Sequence, residues 1–293
     1  KTYKIKNFGF PKLIAQLDIR YQDGSTLRIV TDSSWKVTAD GPIRSDNIYD
    51  GEDYDATREM KGWNRAGYPH AAWLAAQPVT PPGGVLRAQM QASVRVMDTV
   101  RPVSVHYLRP GVYILDMGHN MAGWLRMRVR GARGHQVTLR FAETLQANGE
   151  ISTANLRDAK ATDVYTLKGG GVETWEPSFV YHGFRYVEIT DYPGVPTTGD
   201  FTGEVVYNGI PTTGSFRTSN PVLNQVYHNA VASILSDYKG IPVDCPQRNE
   251  RMPWLGDRDQ SAYGESFVVD NENLYAGWLR DIADAQTAEG IIP

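Results

Sequence analysis

The chain has 293 residues, 41% of them hydrophobic and 22% charged, with a formal net charge of −3. That length suits two or three packed domains, and the charge balance, without a basic run, argues against nucleic acid as a principal partner. No apolar stretch has the length needed to cross a membrane, and a single cysteine, Cys245, rules out an intrachain disulfide.

The sequence starts at Lys1 without a signal peptide and reads as a processed or excised segment. Its compartment stays open, cytoplasmic or periplasmic/secreted. Residues 1 to about 205 carry short alternating runs separated by Gly and Pro turns. Residues 17–30 break at Asp23-Gly24-Ser25, a hairpin signal. Residues 77–84, rich in proline and glycine, read as an exposed connection. Strands are expected at 112–115, 123–129, 136–141, 162–167 and 186–190. Regularly spaced short strands favour sandwiches or jelly rolls.

The pattern changes after Tyr207. Residues 208–214 form a linker, and Ser219-Asn220-Pro221 supplies a cap followed by a first-turn proline. Val222, Leu223, Val226, Tyr227, Ala230, Val231, Ile234 and Leu235 then recur at helical spacing, with Gly240 as a stop. Further helices are expected near 262–269 and from 273 to about 288. The expected division is a β-sandwich or jelly-roll domain at 1–108, a second at 109–208, and a helical domain from 209 to 293.

Between the first two helices, residues 244 to 257 read Asp-Cys-Pro-Gln-Arg-Asn-Glu-Arg-Met-Pro-Trp-Leu-Gly-Asp. Pro246 and Pro253 lack a backbone N–H, so this run is not one uninterrupted helix. Asp244, Glu250 and Asp257 sit among Arg248, Arg251 and Trp254. Carboxylates beside an indole are the ingredients of a sugar-cleaving site: the acids transfer protons and stabilise an oxocarbenium-like transition state, while the ring packs on the apolar face of the sugar.

The run resembles the signature Asp-Cys-Pro-Gln-Arg-Asp-Glu-Arg-(Leu/Met)-Gly-Trp-x-Gly-Asp of the bacterial α-L-rhamnosidases, the family 78 glycoside hydrolases. Asn249, Pro253 and Leu255 depart from it. Residues 48–56, 116–124, 162–165 and 179–186 are similar to motifs of the family's β-domains, in the family's order. The resemblance implies an (α/α)6-barrel catalytic domain, of which this chain holds the first helices. It implies inverting hydrolysis of terminal α-L-rhamnosyl groups from glycosides or polysaccharides, with Glu250 as general acid. Asp244, Arg248, Trp254 and Asp257 are implied to bind the sugar. No cofactor, metal or membrane is expected. The general-base Glu is expected beyond this chain, because Glu265, Glu272 and Glu289 are too close in sequence. The chain's remaining partner is the rest of its own catalytic domain, and alone it is expected to be inactive.

Blander readings stand beside these. Glu250 and Arg251 could form a structural ion pair, Asp244 and Asp257 could cap helices, Arg248 could hold the loop's shape, and Trp254 could be core. Tyr49, Tyr54 and Trp63 read as packing. Cys245 reads as a small buried residue, since no histidine lies near it to activate a thiol. Gly169-Gly170-Gly171 is a turn, lacking the Lys-Ser/Thr of a phosphate loop. Asp46, Asp50 and Glu52 offer oxygen donors of the kind that hold Ca²⁺, but read first as a solvated acidic loop. Two rival functions remain: a glycosidase of the same barrel acting on another sugar, and a non-catalytic carbohydrate-binding fragment.

Overall fold

A computed structural model describes residues 12–81 and 83–292. In chain order the first strands are β1 (Gln16–Arg20), β2 (Thr26–Val30), β3 (Lys36–Val37), β4 (Ile43–Asn47), β5 (Gly51–Asp55), β6 (Leu74–Ala75), β7 (Val94–Val100) and β8 (Ser104–Arg109). They continue with β9 (Val112–Val129), β10 (Gln136–Ala142), β11 (Thr144–Leu145), β12 (Ile151–Ser152), β13 (Thr162–Thr166), β14 (Glu173–Trp175), β15 (His182–Thr190) and β16 (Phe201–Asn208). Three helices follow: α1 (Pro221–Ser236), α2 (Leu255–Glu265) and α3 (Glu272–Ala285).

The chain divides into two units, Lys1–Pro42 with Arg58–Leu86, and Ile43–Thr57 with Arg87–Pro293. In the described part of the first, β1 and β2 form the expected antiparallel hairpin. Its turn is fixed by Asp23, whose carboxylate accepts from the backbone N–H of Ser25 at 2.9 Å. The two-residue strands β3 and β6 pair separately.

The second unit is built on a ten-stranded sheet with the order β4-β5-β13-β10-β15-β9-β16-β7, and β8 and β14 also pair with β9. Only β5 and β13 run parallel among its pairs, the rest being antiparallel. Alternation sets the inner face: Val137, Leu139 and Phe141 of β10 are fully buried. They cluster with Leu115, Leu125, Met127, Phe184, Val187 and Ile189. Burying each such side chain contributes about 1.5–3 kcal/mol.

Residues 112–129 are one strand of 18 residues rather than the two expected. The intervening Asp-Met-Gly-His-Asn run continues the strand. Gly118 takes a left-handed φ of +83°, and its N–H donates to Asp116 at 2.7 Å, so the glycine bends the strand without ending it. A register shift in β15 between Phe184 and Tyr186 accompanies a fork from Arg185 onto Asp116 at 2.9 and 3.0 Å.

The acidic stretch around Asp46 and Glu52 is not a solvated loop. It forms β4 and β5, and Glu52 is only 1% exposed. The Glu52 backbone N–H donates to Asp163 at 3.0 Å, and Asp163 also meets His182 Nε2 at 3.0 Å. His182 in turn stacks on Phe141 with ring centroids 4.1 Å apart. Three of the β-domain motifs thus meet at the buried Asp163 carboxylate.

Helix α1 begins as expected, with Asn220 Oδ1 accepting from Val222 N–H at 2.9 Å and Pro221 in the first turn. Val222, Leu223 and Val226 are exposed, so part of its apolar stripe is uncovered among the described residues. Helix α2 starts at Leu255 rather than near 262, which puts Leu255, Gly256 and Asp257 of the signature on the helix. Tyr238, Val269 and Leu274 form a second buried cluster between the helical segments. The chain is thus multidomain, a curled sheet followed by the start of a helical domain. Three helices do not define a barrel.

Candidate active site

Between α1 and α2 the signature closes into a lasso. The Asp244 backbone N–H donates to the Met252 carbonyl at 3.1 Å, and inside this neck Glu250 N–H reaches Arg248 O at 2.8 Å. Cys245 and Arg251, one at each end, hold left-handed φ values of 55° and 49°. Such backbone costs about 1–3 kcal/mol per residue and persists where surrounding contacts enforce it.

Those contacts come from the sheet domain. A Cβ on Gly183 would lie 2.8 Å from Gln247 Cβ and 3.0 Å from its Cα, so only glycine lets the loop approach β15 this closely. The Tyr49 hydroxyl donates to the Glu250 carbonyl at 3.2 Å. Arg251, buried, donates to the carbonyls of Tyr181 (2.8 Å) and Ile48. Its guanidinium lies 4.5 Å from the Tyr181 ring centroid and 5.5 Å from that of Tyr49. Lys239 faces the same Tyr181 ring at 5.2 Å, and burial pushes its ammonium down to about 7.

The alternative of a structural ion pair between Glu250 and Arg251 gives way to other partners for the acid. Arg248 donates to Glu250 Oε2 from Nε at 2.7 Å and from Nη2 at 2.6 Å. Arg157 reaches the same oxygen at 3.1 Å, and the Trp254 indole N–H donates to Oε1 at 2.9 Å. Burial pushes the Glu250 carboxyl up, but Trp254, Arg248 and Arg157 outweigh it and hold it below the usual carboxylate range. Trp254 is 44% exposed, so it is not core. Its indole N–H holds the acid while much of the residue stays exposed.

Asp244 is held from the other side. Arg258, buried on α2, donates to Asp244 Oδ1 at 2.6 Å, Asp237 at 3.1 Å, Glu265 at 2.9 Å and the Val243 carbonyl at 2.7 Å. The hydroxyls of Tyr238 and Tyr275 both donate to Glu265 at 2.6 Å. Burial raises Asp244, and the charges of Asp257 and Glu250 add to that against the pull of Arg258. Its second oxygen, Oδ2, is buried without a protein partner, an acceptor left over for a donor the loop does not supply. Asp257 is exposed in the first turn of α2, where a carboxylate also favours the helix end.

Cys245 is half-buried rather than fully buried, and burial raises its thiol, so it is not an activated nucleophile. Asn249 lies 3.4 Å from the Asp158 carboxylate. An amide there avoids the like-charge contact that an aspartate would make. Among the described residues no group of three or more His, Cys, Asp or Glu is arranged to hold a metal ion. No helix of the described residues is long and apolar enough to cross a membrane.

Sequence reasoning missed Arg157, Arg258, Tyr181 and the bracing role of Tyr49. Arg258 follows the signature directly, and a cation set between Asp257 and Asp259 was a usable signal. Arg157 carried no signal, because its partner lies in another domain.

The chain matches three family models in succession: the alpha-L-rhamnosidase N-terminal domain over residues 1–98, the bacterial alpha-L-rhamnosidase concanavalin-like domain over 106–207, and the bacterial alpha-L-rhamnosidase 6 hairpin glycosidase domain over 211–293. It is 42% identical over 282 residues to an alpha-L-rhamnosidase of Streptomyces avermitilis, covering 96% of this chain and 27% of that protein. A relative from Alteromonas sp. is 35% identical, with 97% and 31% covered. Among solved structures, an alpha-L-rhamnosidase from Dictyoglumus thermophilum superposes with a TM-score of 0.95 at 42% identity, over 100% of this chain and 33% of that one. The Streptomyces avermitilis enzyme complexed with L-rhamnose gives 0.90 at 41% identity, over 95% and 27%.

The fold and these likenesses place the chain among the glycoside hydrolases. The chain belongs to the α-L-rhamnosidase family of glycoside hydrolases. It spans about a quarter to a third of the length of the relatives it matches.

Proposed function

We propose that the protein containing this chain hydrolyses terminal α-L-rhamnosyl groups from glycosides or polysaccharides with inversion. Glu250 is the general acid, and Asp244, Arg248, Trp254 and Asp257 hold the sugar. The observation that carries this reading is the loop itself: it gathers Glu250, Asp244 and Trp254 on a rigid seat and leaves Asp244 Oδ2 without a partner. An ionised carboxylate accepts from two or more hydroxyls, and Asp244 has capacity to spare. A relative of 41% identity is complexed with L-rhamnose.

A general acid must carry its proton when the glycosidic bond breaks. Glu250 as held by Arg248, Arg157 and Trp254 is ionised more readily than a free carboxylate. The sugar supplies the change. Seating it against Trp254 excludes water and adds an apolar wall beside Glu250, and both raise a carboxyl. The base, a Glu beyond this chain, activates water on the opposite face about 6.5–9.5 Å away. On this reading the domains divide at 108 and 208, α1 to α3 open an (α/α)6 barrel, and residues 1–293 alone do not turn over substrate.

The test is hydrolysis of p-nitrophenyl α-L-rhamnoside by the full-length protein, followed by proton NMR. Inversion predicts β-L-rhamnose as the first product. α-L-rhamnose first means retention, and no cleavage means another sugar or a binding role.

A further inference from the structure

Glu250 is gripped by cations of two origins. Arg248 belongs to the same loop and moves with it. Arg157 belongs to the sheet domain, just after the short 3-10 turn Ala154–Leu156. Its backbone is fixed on both sides, because Leu156 is 1% and Ala159 6% exposed, both within the main core cluster. Arg157 itself holds a left-handed φ of 57°, a conformation costly for a residue with a Cβ. Its side chain is 49% exposed, yet it meets Glu250 Oε2 at 3.1 Å. The next residue, Asp158, meets Asn249, the residue before Glu250. Two consecutive residues of the sheet domain thus face two consecutive residues of the signature loop.

We infer that Arg157 is a positioning residue for Glu250, through which the sheet domain fixes the orientation and charge of the acid. The inference rests on the reading of Glu250 as general acid. The groups facing Glu250 are Arg248, the Cys245 thiol, the Trp254 N–H and the Asp244 charge from the loop, with Arg157 from the sheet domain. Arg157 is the one whose removal leaves the loop sequence intact. It lowers the proton affinity of Glu250 in the same sense as Arg248.

The sign follows. An acid that must be protonated loses activity as pH rises through its pKa, so taking away a cation moves the basic limb of kcat/KM to higher pH. In the full-length protein, Arg157→Met is expected to move that limb up by about 0.5–1 pH unit, the pair being half exposed and partly screened. Loss of orientation is expected to lower kcat about tenfold with KM changed less. Arg157→Lys keeps the charge and is expected to return the limb, but only part of kcat. A limb and a kcat unchanged in Arg157→Met would overturn the inference, as would a limb displaced equally in both variants. Glu250→Gln separates the two readings. If it keeps full activity, the acid assignment itself fails; if it abolishes activity while Arg157→Met is silent, only the role of Arg157 fails.

Discussion

The Arg251 guanidinium lies 4.5 Å from the ring centroid of Tyr181 and donates to that residue's own carbonyl at 2.8 Å. A buried cation from the signature loop is thereby fixed to the residue that leads directly into β15. Replacing it removes a cation–π contact and leaves the carbonyls of Ile48 and Tyr181 without their donor. Arg251→Met is expected to cost about 2–4 kcal/mol, read as a lower denaturant midpoint. Because the loop is unseated, turnover should fall with it. Arg251→Lys should recover little, since a point charge cannot span two carbonyls and two rings.

Arg258 holds three carboxylates, Asp237, Asp244 and Glu265. Arg258→Met leaves them facing one another, and breaking such a buried network costs about 3–5 kcal/mol. The loss should grow with pH. Burial already pushes Asp237 up to about 6 against the pull of Arg258, and without the cation it rises further. A group raised in the folded state stabilises below its unfolded pKa and loses that contribution as pH rises through the folded one. Unfolding midpoints at pH 5 and pH 8 should therefore diverge more in the variant than in the parent. A constant difference would mean that Asp237 keeps its charge by other means.

Glu52 offers a second linkage. Burial, with the charges of Asp46 and Asp163, pushes its carboxyl from 4.5 up to about 7, against the N–H of Ser178. The folded protein holds a proton there that the unfolded chain releases, so stability declines as pH rises from about 4.5 to about 7. Glu52→Gln keeps the acceptor for Ser178 and removes the titration. It should flatten this part of the stability profile. A profile with unchanged slope over that range would assign the effect to another group.

What was readable in the sequence and what was not follow one physical line. The signature run was legible because its chemistry is contiguous, and Asn220 and Pro221 were legible because a cap acts within one turn. The single strand β9 was not, because Gly118-His119-Asn120 has the composition of a turn, and the strand is held as one only by its pairing with β15 on either side of that run, at Asp116 and at Met121. The start of α2 was missed because Pro253, Trp254 and Gly256 lower local helix propensity. Glu52 was misjudged because its burial depends on β13, more than a hundred residues away. At the site, the sum of charges on Glu250 depended on Arg157, whose approach is purely tertiary.

The most direct measurement is the rate of p-nitrophenyl α-L-rhamnoside hydrolysis by the full-length protein and its Glu250→Gln variant, with unfolding midpoints confirming that both fold. Loss of general-acid catalysis predicts a fall of at least about a hundredfold in kcat. A folded variant that hydrolyses at the parent rate would contradict the assignment of Glu250 as the acid.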